Sequence, residues 1–253
     1  LMAEQPQANW IVKPSAGCGG QGIQIATSSQ EILEHVDTTN TEGKSLFVVQ
    51  RYVDRPLLLG GRKFDVRVWI LVVNPFCIYQ FSEGSCRMSS VQYDAQSFTS
   101  LEAHITNHCL QEQSADFGKH EEGNELWYAD LDRIVEKEKG IKNASERLLK
   151  PQFAEIAKLS LLSIKEVVEV MPGSNYECFQ LFGFDYLVDE EMKVHLLEIN
   201  GSPGAAEKWL NPIVSGMVDL CVQPKFPLPS AAEEAKGGKP AGSHWEHIWS
   251  PPQ

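Results

Sequence analysis

Positive charge is scarce in this chain. Of its 253 residues, 22 are Lys or Arg against 34 Asp or Glu, a formal net charge of −12. That balance argues against nonspecific binding to nucleic acid or to an anionic membrane. It also requires that any anionic substrate meet a local basic patch. Long apolar runs are missing too. The longest spans residues 68–73, well short of the roughly 18 residues that suggest a membrane-spanning helix. Leu1-Met2-Ala3-Glu4-Gln5-Pro6 carries no signal-peptide pattern. Six cysteines, at 18, 77, 86, 109, 178 and 221, are scattered without a CxxC pair. Reduced thiols in a cytosolic protein are the simpler expectation, ahead of a disulfide framework or a zinc site. There is no internal repeat. No Gly-Lys-Ser/Thr ends a Walker A loop, and no GxGxxG opens a helix.

What is present is 42% hydrophobic, enough for one large domain or two small lobes. Trp10-Ile11-Val12 reads as a short buried strand leading into a glycine-rich loop, Lys13 to Gly22. A returning strand then ends near Ala26. Ser28-Ser29-Gln30-Glu31 resembles an N-cap before a helix containing Ile32, Leu33 and Val36. Residues 47–50 and 64–73 read as strands. Cys77 to Phe81 and Cys86 to Ser90 read as a hairpin turning at Ser82-Glu83-Gly84-Ser85. Residues 111–145 read as a polar surface segment with some local helix. A helix is expected over residues 145–170, stopped by Pro172-Gly173. Two more strands and a helix over about 211–222 follow. Residues 229–253 have the composition of a disordered tail. Strands and helices mix without strict βαβ alternation, so the expected class is α+β. The strand-like start at Asn9 suggests a fragment whose N-terminal part is missing.

Three groups of residues invite chemistry. Strands 179–188 and 194–200, joined by Asp189-Glu190-Glu191-Met192-Lys193, would place Asp185 almost opposite Glu198, with Asn200 on the same face as Glu198. Facing carboxylates are unfavourable unless a cation lies between them, and oxygen-only ligands suit magnesium. The competing reading is a pair of solvated residues on a sheet face. A second group lies in Arg62-Lys63-Phe64-Asp65-Val66-Arg67, where Lys63, Asp65 and Arg67 share one strand face and Phe64 and Val66 share the other. With Arg87 this stripe would suit an anionic acceptor; a cross-strand ion-pair ladder explains it as well. Third, glycines at 17, 19, 20 and 22 can bring backbone N–H groups to phosphate oxygens, with Lys13 within reach. His104 and His108 are four apart, but without an acidic or cysteine partner a structural or substrate-site role outweighs zinc.

Taken in order, these segments resemble one family. Ile11-Val12-Lys13-Pro14-Ser15, Val49-Gln50-Arg51-Tyr52, Arg62-Lys63-Phe64-Asp65-Val66-Arg67, His104-Ile105-Thr106-Asn107-His108, Phe179 to Asp185, and Leu197-Glu198-Ile199-Asn200-Gly201 look like the tubulin–tyrosine ligase family. The match runs from Asn9 to Pro227. The resemblance implies an ATP-grasp fold with nucleotide between a central lobe (1–60) and a C-terminal catalytic lobe (61–228). It implies that Lys13, Lys63 and Asp65 serve the ATP site and that Gln50, Arg51, Tyr52 and Val53 line the adenine pocket. Asp185, Glu198 and Asn200 would hold Mg2+, with K+ as an accompanying ion. Arg67 and Arg87 would bind the acceptor carboxylate, with Glu198 also catalytic, and Thr106 and Asn107 would belong to the acceptor and amino-acid site. Glu121-Glu122-Gly123-Asn124-Glu125 and Thr106-Asn107-His108-Cys109 are similar to the tyrosine-adding branch. The implied reaction is therefore ATP-dependent ligation of free tyrosine to the C-terminal glutamate of detyrosinated α-tubulin through an acyl phosphate. The α-tubulin tail would be the partner, and the cytoplasm, on microtubules, the location. The alternatives are a polyglutamylase-type ligase and a non-catalytic nucleotide- or tubulin-binding module.

Overall fold

The structure is a computed structural model and describes residues 8–15, 19–40, 46–168, 177–226 and 244–252. Its contacts divide the chain into two units. The first holds the described residues of Leu1–Asp65, Arg87–Leu126 and Val188–Glu191; the second holds those of Val66–Cys86, Trp127–Leu187 and Met192–Gln253. This differs from the expected consecutive lobes at 1–60 and 61–228. Two long strands run out of the first unit and back, so neither unit is continuous in sequence.

In the first unit, strands β1 (Trp10–Pro14), β2 (Gln24–Ala26) and β3 (Phe47–Arg51) form an antiparallel sheet in the order β2-β1-β3. Helix α1 (Ser29–Thr39) covers it through Ile32 and Val36, against Trp10, Val12, Ala26 and Phe47. The expected cap forms: Ser28 Oγ accepts from Glu31 N–H at 3.2 Å. The Glu31 carboxylate reaches back to the Thr27 N–H and hydroxyl, one residue earlier than a capping box requires. A two-residue strand β4 (Leu58–Leu59) pairs with the start of β5 (Arg62–Val73). Short helices α2 (Leu101–His104) and α3 (His108–Gln111) and strand β7 (Glu125–Leu126) belong to the same unit.

In the second unit, β5 and β6 (Cys77–Met88) continue beside β8 (Phe179–Val188), β9 (Val194–Asn200) and β10 (Trp245–Trp249), in the order β10-β6-β5-β8-β9. The pairings of β10 with β6 and of β5 with β8 are antiparallel, as an α+β fold predicts. Helix α4 (Tyr128–Lys139) and helix α5 (Lys150–Val168), entered through a π turn at Ser145–Leu149, belong to this unit. Phe153 of α5 stacks on Tyr186, which lies opposite Val66 in the sheet register. The other sheet face, carrying Trp69 and Leu71, packs on Ile213 of α6 (Glu207–Cys221) and on Trp245. With both faces covered, β5 is buried along most of its length.

Several expectations change here. The hairpin at residues 82–85 does not exist, because β6 runs straight through it. Gly84 serves packing instead of turning. An added Cβ there would lie 2.5 Å from the Tyr128 hydroxyl. The polar segment 111–145 contains a whole helix, α4, which buries Tyr128, Leu131 and Val135. Within the expected tail, residues 245–249 are a strand, and Trp245 is 6% exposed. Local composition missed that strand because its stability comes from pairing with β6. The Pro172-Gly173 stop, loop residues 16–18 and tail residues 229–243 and 253 lie outside the described residues. No described helix is long and apolar enough to cross a membrane.

Candidate active site

The site residues of the second unit meet at the β5–β8–β9 face. In the sheet register Arg67 lies opposite Asp185. The guanidinium engages that carboxylate with two donors, Nε to Oδ1 and NH2 to Oδ2, the second at 2.8 Å. Asp185 is 1% exposed, so a fork-shaped cation matched to both oxygens is what makes its charge tolerable there. Gly183, two residues back along β8, makes room for it. A Cβ at this position would sit 2.6 Å from Pro203 Cβ and 3.0 Å from Arg67 Cδ. The strand-to-helix connection is tied down beside it. Trp69 Nε1 donates to Gly204 O at 3.0 Å, and Gln180 Nε2 donates to Gly201 O at 2.7 Å.

Asn200 links the two carboxylates of the expected metal site. Its amide nitrogen is 3.2 Å from Glu198 Oε1 and 3.4 Å from Asp185 Oδ2. Asp185, Glu198 and Asn200 are therefore brought together as the hairpin argument required. Two features differ. The strand around Glu198 is mostly half-exposed: Glu198 faces solvent, and Ile199 is 41% exposed. And the cation beside Asp185 is Arg67, so a metal ion is not needed to relieve that charge. The donor set still suits a hard cation. Each carboxylate oxygen has lone pairs beyond those used by Arg67, and a turn of the Asn200 amide would present its oxygen. No group of three or more His, Cys, Asp or Glu with metal-binding potential occurs among the described residues.

The first unit holds a second polar cluster, almost sealed from solvent. Lys63 is 6% exposed and Asp65 3%. Lys63 Nζ donates to Tyr52 Oη at 2.9 Å and to His104 O at 2.8 Å. Burial pulls its pKa down to about 7, against the opposing pull of Asp65; Lys13 pushes it further down. Asp65 accepts from Arg87 Nε at 2.6 Å and from the Thr106 hydroxyl. Arg62 forms a two-pronged pair with Glu121 at 2.7 and 2.6 Å. Arg67 and Arg87, expected to await an acceptor carboxylate, are thus each engaged by a carboxylate of their own unit. The ion-pair alternative weighed for this stripe describes both of them, whereas Lys63 joins no ion pair among the described residues.

The other candidate residues belong to the first unit. Gln50 and Arg51 are exposed on β3, while Val53 is half-buried. Tyr52 is buried, with its N–H given to Asn9 O at 2.8 Å, so that donor is not offered to a base edge. The glycine loop rests on the 105–110 segment: a Cβ on Gly20 would lie 3.3 Å from Ile105 and 3.7 Å from Asn107 Oδ1. Lys13 stands on β1, just before that loop. Sequence reasoning left His104 without a specific task, and the structure puts it against Tyr52 and Lys63. Its signal was the apolar and aromatic surrounding of a lone imidazole, which spacing alone does not interpret. None of the five described cysteines, Cys77, Cys86, Cys109, Cys178 and Cys221, is in a disulfide.

Similarity to known proteins bears on this arrangement. The model of the tubulin-tyrosine ligase family matches residues 1–235, and the chain belongs to that family. It is 33% identical over 199 residues to "Tubulin glycylase 3D" of Tetrahymena thermophila, covering 77% of this chain and 18% of that protein. It is 32% identical over 208 residues to "Probable alpha-tubulin polyglutamylase Ttll1" of the same organism, covering 78% of this chain and 49% of that protein. It is also 32% identical over 197 residues to "Probable tubulin polyglutamylase ttll-9" of Caenorhabditis elegans, covering 77% and 46%. The chain thus spans less than half the length of these relatives. Their names are those of glycylases and polyglutamylases, so the expectation of tyrosine as the added amino acid finds no support among them.

Proposed function

We propose that this chain is the catalytic part of an ATP-dependent carboxylate–amine ligase that modifies tubulin tails, with an ATP-grasp arrangement. The amino acid added is glutamate, in a polyglutamylase-type reaction. The observation that carries the reading is the family match over residues 1–235, together with relatives named for tubulin polyglutamylation and glycylation. Glycine is the second reading, favoured by two glycylases of 33% and 30% identity. The Asp185, Glu198 and Asn200 cluster and the buried Lys63 are consistent with both.

Bound ATP would supply the phosphoryl group that turns an acceptor carboxylate into an acyl phosphate. Asp185, Glu198 and Asn200 would hold Mg2+, which neutralises phosphate charge. Lys63 and Lys13 would face phosphate oxygens. Gln50 to Val53 would border the base, through side chains and the remaining main-chain groups. Arg67 and Arg87 would draw in the acceptor carboxylate through guanidinium edges not used by Asp185 and Asp65. Thr106 and Asn107 would orient the incoming amino acid. Such a reaction needs no Ser, Cys or His nucleophile, since positioning and charge neutralisation supply the catalysis.

The test uses the full protein, tubulin, MgATP and labelled glutamate, glycine or tyrosine in separate reactions. Mass spectrometry then reads the tails. Glutamyl increments absent from a Glu198→Gln control are expected. Glycyl increments alone would select the second reading, and tyrosine incorporation alone would restore the original expectation. No increment above the control with any of the three would overturn the ligase reading.

A further inference from the structure

The buried lysine of the first unit sits at the head of a hydrogen-bond chain whose direction is fixed at its far end. Ser97 O can only accept, so His104 Nε2, 2.8 Å away, must carry a proton. His104 is 1% exposed. It is packed edge-on or tilted against Tyr52, Tyr93 and Phe98, with ring centroids 6.0, 5.1 and 5.1 Å away. Burial first, and then the neighbouring Lys63, hold its pKa below the ordinary imidazole value against the opposing pull of the Ser97 hydrogen bond and Asp94, and so favour the neutral ring. Its Nδ1 is then a lone pair facing the Tyr52 hydroxyl at 2.9 Å; Tyr93, whose own proton goes to Asp54 O at 2.9 Å, is the other acceptor beside that hydroxyl. The Tyr52 oxygen accepts from Lys63 at 2.9 Å, because an ammonium can only donate, and its own proton is turned away toward the His104 side. The carbonyl of His104 takes a second proton of the same ammonium at 2.8 Å. One residue thus aims Lys63 twice, through its main chain and through Tyr52. When Lys63 carries its proton, the third of its ammonium donors has no acceptor among the described residues.

We infer that Tyr52 and His104 are positioning residues that orient the Lys63 ammonium so that its third N–H meets a phosphate oxygen of the nucleotide. The inference rests on the proposed reading of Lys63 as a phosphate-binding group. Two fixed acceptors remove the rotational freedom of the ammonium before the ligand arrives, which is preorganisation. Hydrogen bonds in such a chain polarise one another, so the phenol is a better acceptor for carrying its proton toward imidazole. The Tyr52 ring also lies under the ammonium, 4.5 Å from Nζ to the centroid.

The experiment compares ATP KM and kcat in the full protein for Tyr52→Phe, His104→Leu, His104→Asn and Lys63→Met. Tyr52→Phe and His104→Leu are each expected to raise the KM for ATP about tenfold, with kcat changed less than about twofold. His104→Asn offers an oxygen to the Tyr52 hydroxyl and should restore KM to within about threefold of the original. A merely structural histidine would not be rescued in this way. In the unsubstituted protein, nitrogen-15 NMR should find His104 neutral and protonated on Nε2. A ring protonated on Nδ1 at neutral pH would overturn the chain without recourse to any variant. If Lys63→Met loses ATP affinity while Tyr52→Phe and His104→Leu keep it, the positioning role is overturned and the phosphate-binding reading survives. If Lys63→Met itself keeps ATP affinity, the phosphate-binding reading falls.

Discussion

Lys63 is an ammonium with almost no access to water, facing a phenol oxygen and a carbonyl. Its pKa of about 7 lies below the ordinary lysine value of 10.5. Between those two values the unfolded chain binds more protons than the folded one, so this group makes stability rise with pH across that window. Urea unfolding at pH 7 and pH 9 should show the wild type gaining stability relative to Lys63→Met as pH rises. A constant difference between the two proteins would contradict the burial argument. Gly183 makes a second residue-scale prediction. Its alanine variant should lose about 1–3 kcal/mol through overpacking and displace Arg67 or Pro203, lowering kcat. Unchanged kcat with unchanged unfolding would show that the Arg67 side chain moves aside freely. Lys63, Arg67 and Asp185 were all legible as candidates from residue type and alternation. Their partners were not, because alternation assigns a face and says nothing of what is packed against it.

Among the elements, β8 and β9 have the bounds expected of them, since a β-rich run of alternating residues closes on a short acidic turn. Helix α5 then secures that turn. Gln152 Nε2 donates to Met192 O at 2.9 Å, and Gln152 Oε1 accepts from Val194 N–H at 3.1 Å. Helix α4 was legible only as some local helix in a polar segment, and strand β10 was not legible. The first is short and charged on its outer face. The second acquires its meaning from Phe81, Trp69 and Ile213, residues far away in sequence. Trp245→Ala should therefore cost about 3 kcal/mol, read by chemical unfolding. A loss below about 0.5 kcal/mol, the size of an ordinary surface change, would mean that β10 is dispensable. Gly84→Ala should destabilise comparably by forcing Tyr128 away from β6; the tyrosine's near-ultraviolet dichroism reports the displacement.

For the whole molecule, the proposed nucleotide and metal roles predict linkage. MgATP at about 100 times its Kd should stabilise the fold by about 2.7 kcal/mol, which for a chain of this size raises Tm by roughly 5–10 °C. Chelation of magnesium, or Glu198→Gln, should remove most of that increase. A rise that survives both changes would separate nucleotide binding from the Asp185, Glu198 and Asn200 cluster. The net charge of −12 adds an expectation about the partner. On the proposed reading an acidic tail would be drawn to Arg67 and Arg87 against the average field, so added salt should weaken local attraction and general repulsion together. The KM for tubulin should then vary little with ionic strength, in contrast to the steep dependence of a uniformly basic binder.

The sequence by itself determined the family, the α+β class, the cap of α1, the β8–β9 hairpin and the residues able to do chemistry. These depend on residue type, short-range periodicity and motif order, all of which survive in one dimension. Only the tertiary structure decided what each charge faces. Asp185 and Arg67 are 118 residues apart and lie side by side because β5 and β8 pair in one register. Lys63 is oriented by a phenol and an imidazole that no local pattern connects to it. A buried charge is defined by its surroundings, because desolvation and partner geometry set whether it is paired, neutral or available.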